Sequence, residues 1–190
     1  MIKNIVRSMP KGFVMKTAST ILLGLTLLMF SPPAFAQKRG PSTAEERARV
    51  VELVQKLQVD PINPQLRSER EWALRWLIEV PDITVTICGD LLRPVLGTKY
   101  KYEPDLVTFN TLAAAAFIIQ NPGADSFAVN KASLDSTLAA YQAILKTKPK
   151  AVLKGLDDLL QLKKNGELDK FVHAATESCA NGSKQASLRP

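Results

Sequence analysis

Apolar side chains recur every three or four residues along most of the chain after residue 42, which is the spacing of an amphipathic α-helix. The clearest example places Leu134, Leu138, Tyr141 and Leu145 on one helix face. Segments with this spacing begin near Ser42, Ser68, Pro104, Ser133, Pro149 and Glu167. We therefore predict a single all-α domain over residues 37–179, built of six to seven helices in a compact bundle or in stacked pairs.

Local signals predict where several of these helices begin and end. Ser42-x-x-Glu45 and Thr43-x-x-Glu46 are overlapping segments with the spacing of a capping box, and Ser68-x-x-Glu71 has the same spacing. Pro149 suits the first position of a helix. The last helix is expected over Glu167–Cys179. Residues 180–190 are polar, so we expect them to form a flexible tail.

The segment Asp82–Leu96 carries two conflicting patterns. Its run Ile83-Thr84-Val85-Thr86-Ile87 is β-branched and alternating, which favours a strand. Ile83, Ile87, Leu91 and Val95 also keep helical spacing. Because helices are predicted on both sides, we interpret the segment as a helix that Pro94 bends or shortens.

The N-terminal region has the three-part pattern of a cleavable export signal over Met1–Ala36. Four basic and no acidic side chains precede an apolar run over Ile21–Phe30, and Ala34-Phe35-Ala36 resembles a signal peptidase site. The alternative is a membrane anchor, but the run is about half of the roughly 20 residues that span a bilayer. We expect export by the general secretory route, with the mature protein beginning near Gln37 in the periplasm or outside the cell.

The net charge of +7 overstates how basic the working protein is. Four of its 25 basic residues and none of its 18 acidic residues lie in the first 36 positions, which leaves +3 for residues 37–190. This small excess does not indicate a nucleic-acid partner or an anionic membrane surface. Past the signal, no apolar run reaches the length of a membrane span.

Both cysteines, Cys88 and Cys179, lie after the predicted signal. In an oxidising compartment the simplest expectation is one intramolecular disulfide that links the middle of the chain to the last helix. Two free thiols or intermolecular bridges are the alternatives. With one histidine and two paired cysteines, a zinc site is not expected, and we predict no cofactor.

Two groups of side chains are candidates for functional chemistry. Lys99, Tyr100, Lys101 and Tyr102 alternate basic and aromatic groups, which can stack on a ligand while attracting anions; alternatively, the tyrosines fold back onto the helices. His173 is flanked by Asp169 and Glu177 at helical spacing, so it could act as a general base. The alternative is a surface histidine among charges.

These patterns lead us to expect an exported helical protein that binds rather than catalyses. Its partner would be another exported or envelope protein, a peptide or a small anionic ligand, with the Lys99–Tyr102 loop at the rim of the binding surface. A second hypothesis is a small exported hydrolase or lyase that uses His173. A third is a helical chaperone of the cell envelope.

Overall fold

The computed structural model describes residues 39–187, with side chains up to residue 182. The predicted export signal therefore lies outside the described residues. Over the described range the protein is all-helical, as predicted, and contains no β-strand. Its helices are α1 (Ala44–Val59), α2 (Arg67–Glu79), α3 (Gly89–Leu92), α4 (Glu103–Gln120), α5 (Ser126–Thr147), α6 (Lys154–Lys164) and α7 (Leu168–Ser187).

The core forms where α4 packs against α5 and α1. Leu106, Phe109 and the four alanines 113–116 of α4 are buried, and the small alanines allow neighbouring helices to approach closely. Trp76 of α2 and Tyr141 of α5 are the two largest fully buried side chains. α7 packs on α5 and α3, and α6 contacts both α5 and α7.

Polar caps define two of the helix starts. The Thr43 hydroxyl accepts a hydrogen bond from the Glu46 N–H at 3.2 Å, and the Glu46 carboxylate accepts one from the Thr43 N–H at 3.0 Å. This reciprocal pair is the second of the two overlapping capping boxes predicted for α1; Ser42 is not the cap. Asp125 caps α5 by accepting from the Ala128 N–H at 2.7 Å, so α5 begins seven residues before the predicted start at Ser133.

The predicted helix over Asp82–Leu96 is wrong. Residues 81–88 form an irregular coil, and only Gly89–Leu92 are helical before a series of turns. The Asp82 carboxylate, which could have capped a helix, instead accepts hydrogen bonds from the backbone and hydroxyl of Ser42 at 2.8 and 2.7 Å. Pro94 has no N–H to donate, so α3 does not continue through it.

Two further starts differ from the prediction. A 3-10 turn over Pro64–Leu66, capped by Asn63, leads into α2 at Arg67, so Ser68 is not the cap. Pro149 lies in a loop and α6 begins only at Lys154. Near these two starts, the Asn63 side chain accepts a hydrogen bond from the Gln65 N–H, and the Leu153 N–H donates one to the Tyr141 hydroxyl.

The C-terminal helix is longer than predicted. α7 continues past Cys179 and reaches Ser187, so most of the segment predicted as a polar tail is helical. Its flexibility remains a prediction. Within the described range, no helix is both long and apolar enough to cross a bilayer.

Candidate functional site

The Lys99–Tyr102 loop forms one wall of a groove with a volume of about 650 Å³. The opposite wall is Thr147–Val152, at the end of α5 and in the loop that follows it. We call this the basic groove. The sequence predicted the first wall as a ligand-facing surface, but not the second. One feature of the sequence could have indicated the second wall: the run Lys148-Pro149-Lys150, which again alternates lysines with an apolar residue.

The first wall is a tight turn between α3 and α4. Gly97 and Lys99 have φ values of 71° and 58°, in the left-handed region that glycine adopts easily and lysine rarely. The Gly97 N–H donates to the Glu103 carboxylate at 2.9 Å, and the Thr98 hydroxyl donates to the Val95 carbonyl oxygen at 2.6 Å. These bonds hold the turn that presents the lysines and tyrosines.

The second wall is held by the buried phenol of Tyr141. Its hydroxyl accepts a hydrogen bond from the Leu153 N–H at 2.8 Å and donates one to the Asp157 carboxylate at 2.8 Å. The Ala151 N–H donates to the Lys148 carbonyl oxygen at 2.9 Å. Because these bonds fix the chain between α5 and α6 in a turn, Pro149 does not begin a helix.

Tyr100 joins the two walls. Its hydroxyl donates to the Ala151 carbonyl oxygen at 2.8 Å, and its ring makes edge contacts with Tyr102 and Tyr141 at centroid distances of 5.6 and 6.5 Å. Burial raises the pKa of Tyr100 to about 12 and likewise raises the pKa of Tyr141 to about 12. Tyr100 therefore both folds back onto the bundle and lines the groove, as a neutral phenol.

The charge of the basic groove comes from lysines alone. Lys99, Lys101, Lys148 and Lys150 line it, all four are exposed, and no acidic side chain belongs to the lining. Among the described residues, these four form no ion pair, whereas other lysines of the protein are paired with carboxylates: Lys56, Lys131, Lys154 and Lys163. The groove thus offers uncompensated positive charge to an anion.

Apolar groups cover the surface between these lysines. Val152 is 62% exposed, and Pro149 and the ring of Tyr102 lie beside it in the lining. The Lys101 ammonium lies 5.5 Å from the centre of the Tyr102 ring, within the range of a cation–π contact. A ligand that combines negative charge with apolar groups is complementary to this surface.

No protein-family model, curated protein or solved structure gives a significant match to this chain.

The structure does not place His173 in a catalytic arrangement. The residue is exposed on α7, and its ring stacks on Phe127 at a centroid distance of 3.9 Å. Asp169, the carboxylate expected to orient it, lies 3.2 Å from the Lys131 ammonium. Over the described residues no hydrogen bond joins His173 to a serine or a carboxylate, so the hydrolase or lyase hypothesis has no geometric support.

The cysteines are paired as predicted. The sulfur atoms of Cys88 and Cys179 lie 2.11 Å apart, and their Cα atoms are 5.6 Å apart. This bond attaches the coil 81–88 to α7. Within the part of the chain that the structure describes, no group of three or more histidine, cysteine or acidic side chains could hold a metal ion.

Proposed function

We propose that this protein is an exported, non-catalytic binding module whose basic groove binds an acidic segment of a partner protein. The observation that carries the proposal is the set of four exposed lysines, unpaired within the described chain, around an apolar floor. The predicted export signal and the disulfide support a location in an oxidising compartment.

The shape of the groove favours a peptide segment over a small anion. Helix N-termini and backbone nests bind small anions by directing several N–H donors at one point, whereas these lysines are exposed and spread over two loops. A volume of about 650 Å³ has room for several side chains. An acidic segment with interspersed apolar residues can place carboxylates near the lysines and cover Val152 and Pro149.

The two walls are held in place before any ligand arrives. Tyr100 bonds across the groove to Ala151, and Tyr141 fixes the chain at Leu153. A surface that is already ordered loses less conformational entropy on binding. Exposed lysines contribute modest, salt-sensitive attraction, so we expect a reversible complex whose affinity falls as ionic strength rises.

Site-specific photo-cross-linking tests this proposal directly. A photoreactive amino acid at Val152 would report what occupies the groove, and the same amino acid at Val59, which is 78% exposed at the end of α1, serves as the matched control. We expect a protein adduct with an acidic segment from position 152 only. The same adducts from both positions, or none from position 152, would contradict the proposal.

A further inference from the structure

A second groove, of about 580 Å³, lies on a different part of the molecule. Its walls are the coil segment Ile83–Ile87 and the exposed side of α2, and its floor comes from Val107, Thr108 and Thr111 of α4. We call it the apolar groove, because no charged side chain belongs to its lining. It shares no residue with the basic groove.

The coil wall of the apolar groove has no backbone partner among residues 39–187. Between Ile83 and Ile87, no backbone N–H or carbonyl group forms a hydrogen bond with the described part of the chain. Burial alternates over the first four residues, since Ile83 is buried and Val85 half-buried whereas Thr84 and Thr86 are exposed; Ile87 is exposed as well. A β-branched segment whose backbone groups are unpaired within the described chain can accept a second extended chain beside it.

Both walls present apolar side chains that remain exposed in the fold. Ile78 of α2 is 85% exposed, and Ile87 at the end of the coil segment is 56% exposed. Leu74 and Leu77 are only partly buried and lie in the same lining. Single exposed apolar residues are ordinary on protein surfaces, but here Ile78 and Ile87 lie in one groove whose lining contains no charged side chain.

From these features we propose that the apolar groove binds an extended, uncharged peptide segment of another protein, paired through its backbone with Ile83–Ile87. An apolar small molecule or a lipid chain could fill the groove, but neither could satisfy the backbone groups of the coil. Five residues at about 3.3 Å each span roughly 17 Å, so the bound segment has about five or six residues. Alternate side chains of the peptide would enter the groove beside Leu77 and Ile78.

This binding mode differs from the one proposed for the basic groove. It relies on backbone hydrogen bonds and apolar contact, so it should resist added salt and should not be displaced by an acidic peptide. An activity of this kind is what a chaperone of exported proteins requires, because unfolded chains expose extended apolar segments. Because the two binding modes respond differently to salt and to an acidic peptide, one proposal can fail while the other holds.

The test uses the purified protein with its disulfide intact and two synthetic probes. The first probe is a fluorescent, end-capped six-residue peptide that alternates valine and threonine. The second has the same sequence with an N-methyl group on every amide, which removes all of its backbone donors and keeps the side chains. Fluorescence anisotropy measures binding of each to the native protein and to Ile78→Asp and Val59→Asp, which place the same charge inside and outside the groove.

We expect saturable binding of the first probe, at least about tenfold weaker binding to Ile78→Asp, and no change with Val59→Asp. The N-methylated probe should bind at least about tenfold more weakly than its parent. Equal binding of the two probes would overturn the backbone pairing, and no saturable binding would overturn the site. Self-association of the protein that competes with the probe and is lost in Ile78→Asp would assign the groove to a second copy instead.

Discussion

The hydroxyl of Tyr100 donates a 2.8 Å hydrogen bond to the carbonyl oxygen of Ala151, which lies 51 residues further along the chain. This bond joins the two walls of the basic groove. The Tyr141 hydroxyl holds the second wall by accepting a hydrogen bond from the Leu153 N–H and donating one to the Asp157 carboxylate. The groove therefore depends on two phenols whose role is structural, while its lysines remain available to a ligand.

Removing the two phenol hydroxyls should destabilise the protein unequally. Tyr141→Phe leaves the Leu153 N–H without its partner, so we expect a loss of about 1–3 kcal/mol in the free energy of unfolding. Tyr100→Phe breaks one hydrogen bond and should lose about 1 kcal/mol. Urea denaturation measures both. Tyr102→Phe is the control, because the Tyr102 hydroxyl has no hydrogen bond within the described residues; equal stability of all three variants would contradict this role.

The disulfide should contribute strongly to stability because it closes a long loop. Cys88 and Cys179 are 91 positions apart, and a loop of that length is worth up to about 4–5 kcal/mol in the chain-entropy model, with less usually measured. We expect the double variant Cys88→Ala/Cys179→Ala to lose about 2–4 kcal/mol. Reductant should destabilise the native protein to a similar extent and leave the double variant unaffected. Native stability that does not change on reduction would be inconsistent with this account.

The link between α1 and the coil should weaken in acid. The backbone N–H and hydroxyl of Ser42, together with Arg47, lower the pKa of Asp82 from 3.8 to about 2. A carboxylate with a lowered pKa in the folded state stabilises the fold above its unfolded pKa. That contribution is lost as pH falls from about 4 towards 2.

Thermal unfolding across this range of pH measures the effect. Asp82→Asn should be less stable than the native protein at neutral pH and should show a shallower decline in acid. Ser42→Ala, which keeps the carboxylate but removes one donor, should lie between the two. A decline for Asp82→Asn that parallels the native protein would show that another group is responsible.

Gly155 should resist substitution for a packing reason. A Cβ atom built there would lie 2.6 Å from the Pro94 carbonyl oxygen and 2.9 Å from the Pro94 Cβ. Helix propensity alone predicts that alanine would stabilise α6 by up to about 1 kcal/mol, whereas the close contact predicts a loss of about 1–3 kcal/mol. Gly89→Ala in α3 is the control, because its Cβ would meet nothing within 4 Å. A stabilised Gly155→Ala protein would contradict the close packing of α6 on Pro94.

The helices were predictable where apolar periodicity and capping residues agree, as for α1 with its Thr43 cap. The coil over residues 81–88 was not, because Ile83 and Ile87 satisfy a helical and an alternating pattern at once. In the folded protein, Ser42 and Arg47 bind the Asp82 carboxylate and favour the coil over a helix. These contacts join distant parts of the chain, so neither local pattern contains them.

The same reason explains why only half of the basic groove was predicted. The alternation of lysine and tyrosine over residues 99–102 predicted a ligand-facing surface, and the structure places these residues in the lining of a groove; that a ligand binds there stays a prediction. The second wall needed Tyr141 to hold the chain at Leu153 and Tyr100 to reach Ala151, and no local pattern contains that information. Tyr100 also proves to be a structural residue, so alanine at this position would disturb the groove as well as any ligand contact.

The most direct test of the central claim is the affinity of the basic groove for an acidic peptide. Fluorescence anisotropy would measure binding of a labelled peptide that alternates glutamate and leucine to the native protein and to Lys148→Glu/Lys150→Glu. Lys164→Glu/Lys170→Glu is the matched control, since those exposed lysines lie outside the groove and make the same change in net charge. We predict salt-sensitive binding that weakens at least about tenfold in the groove variant and little in the control. Equal weakening in both variants, or no binding to the native protein, would contradict the account.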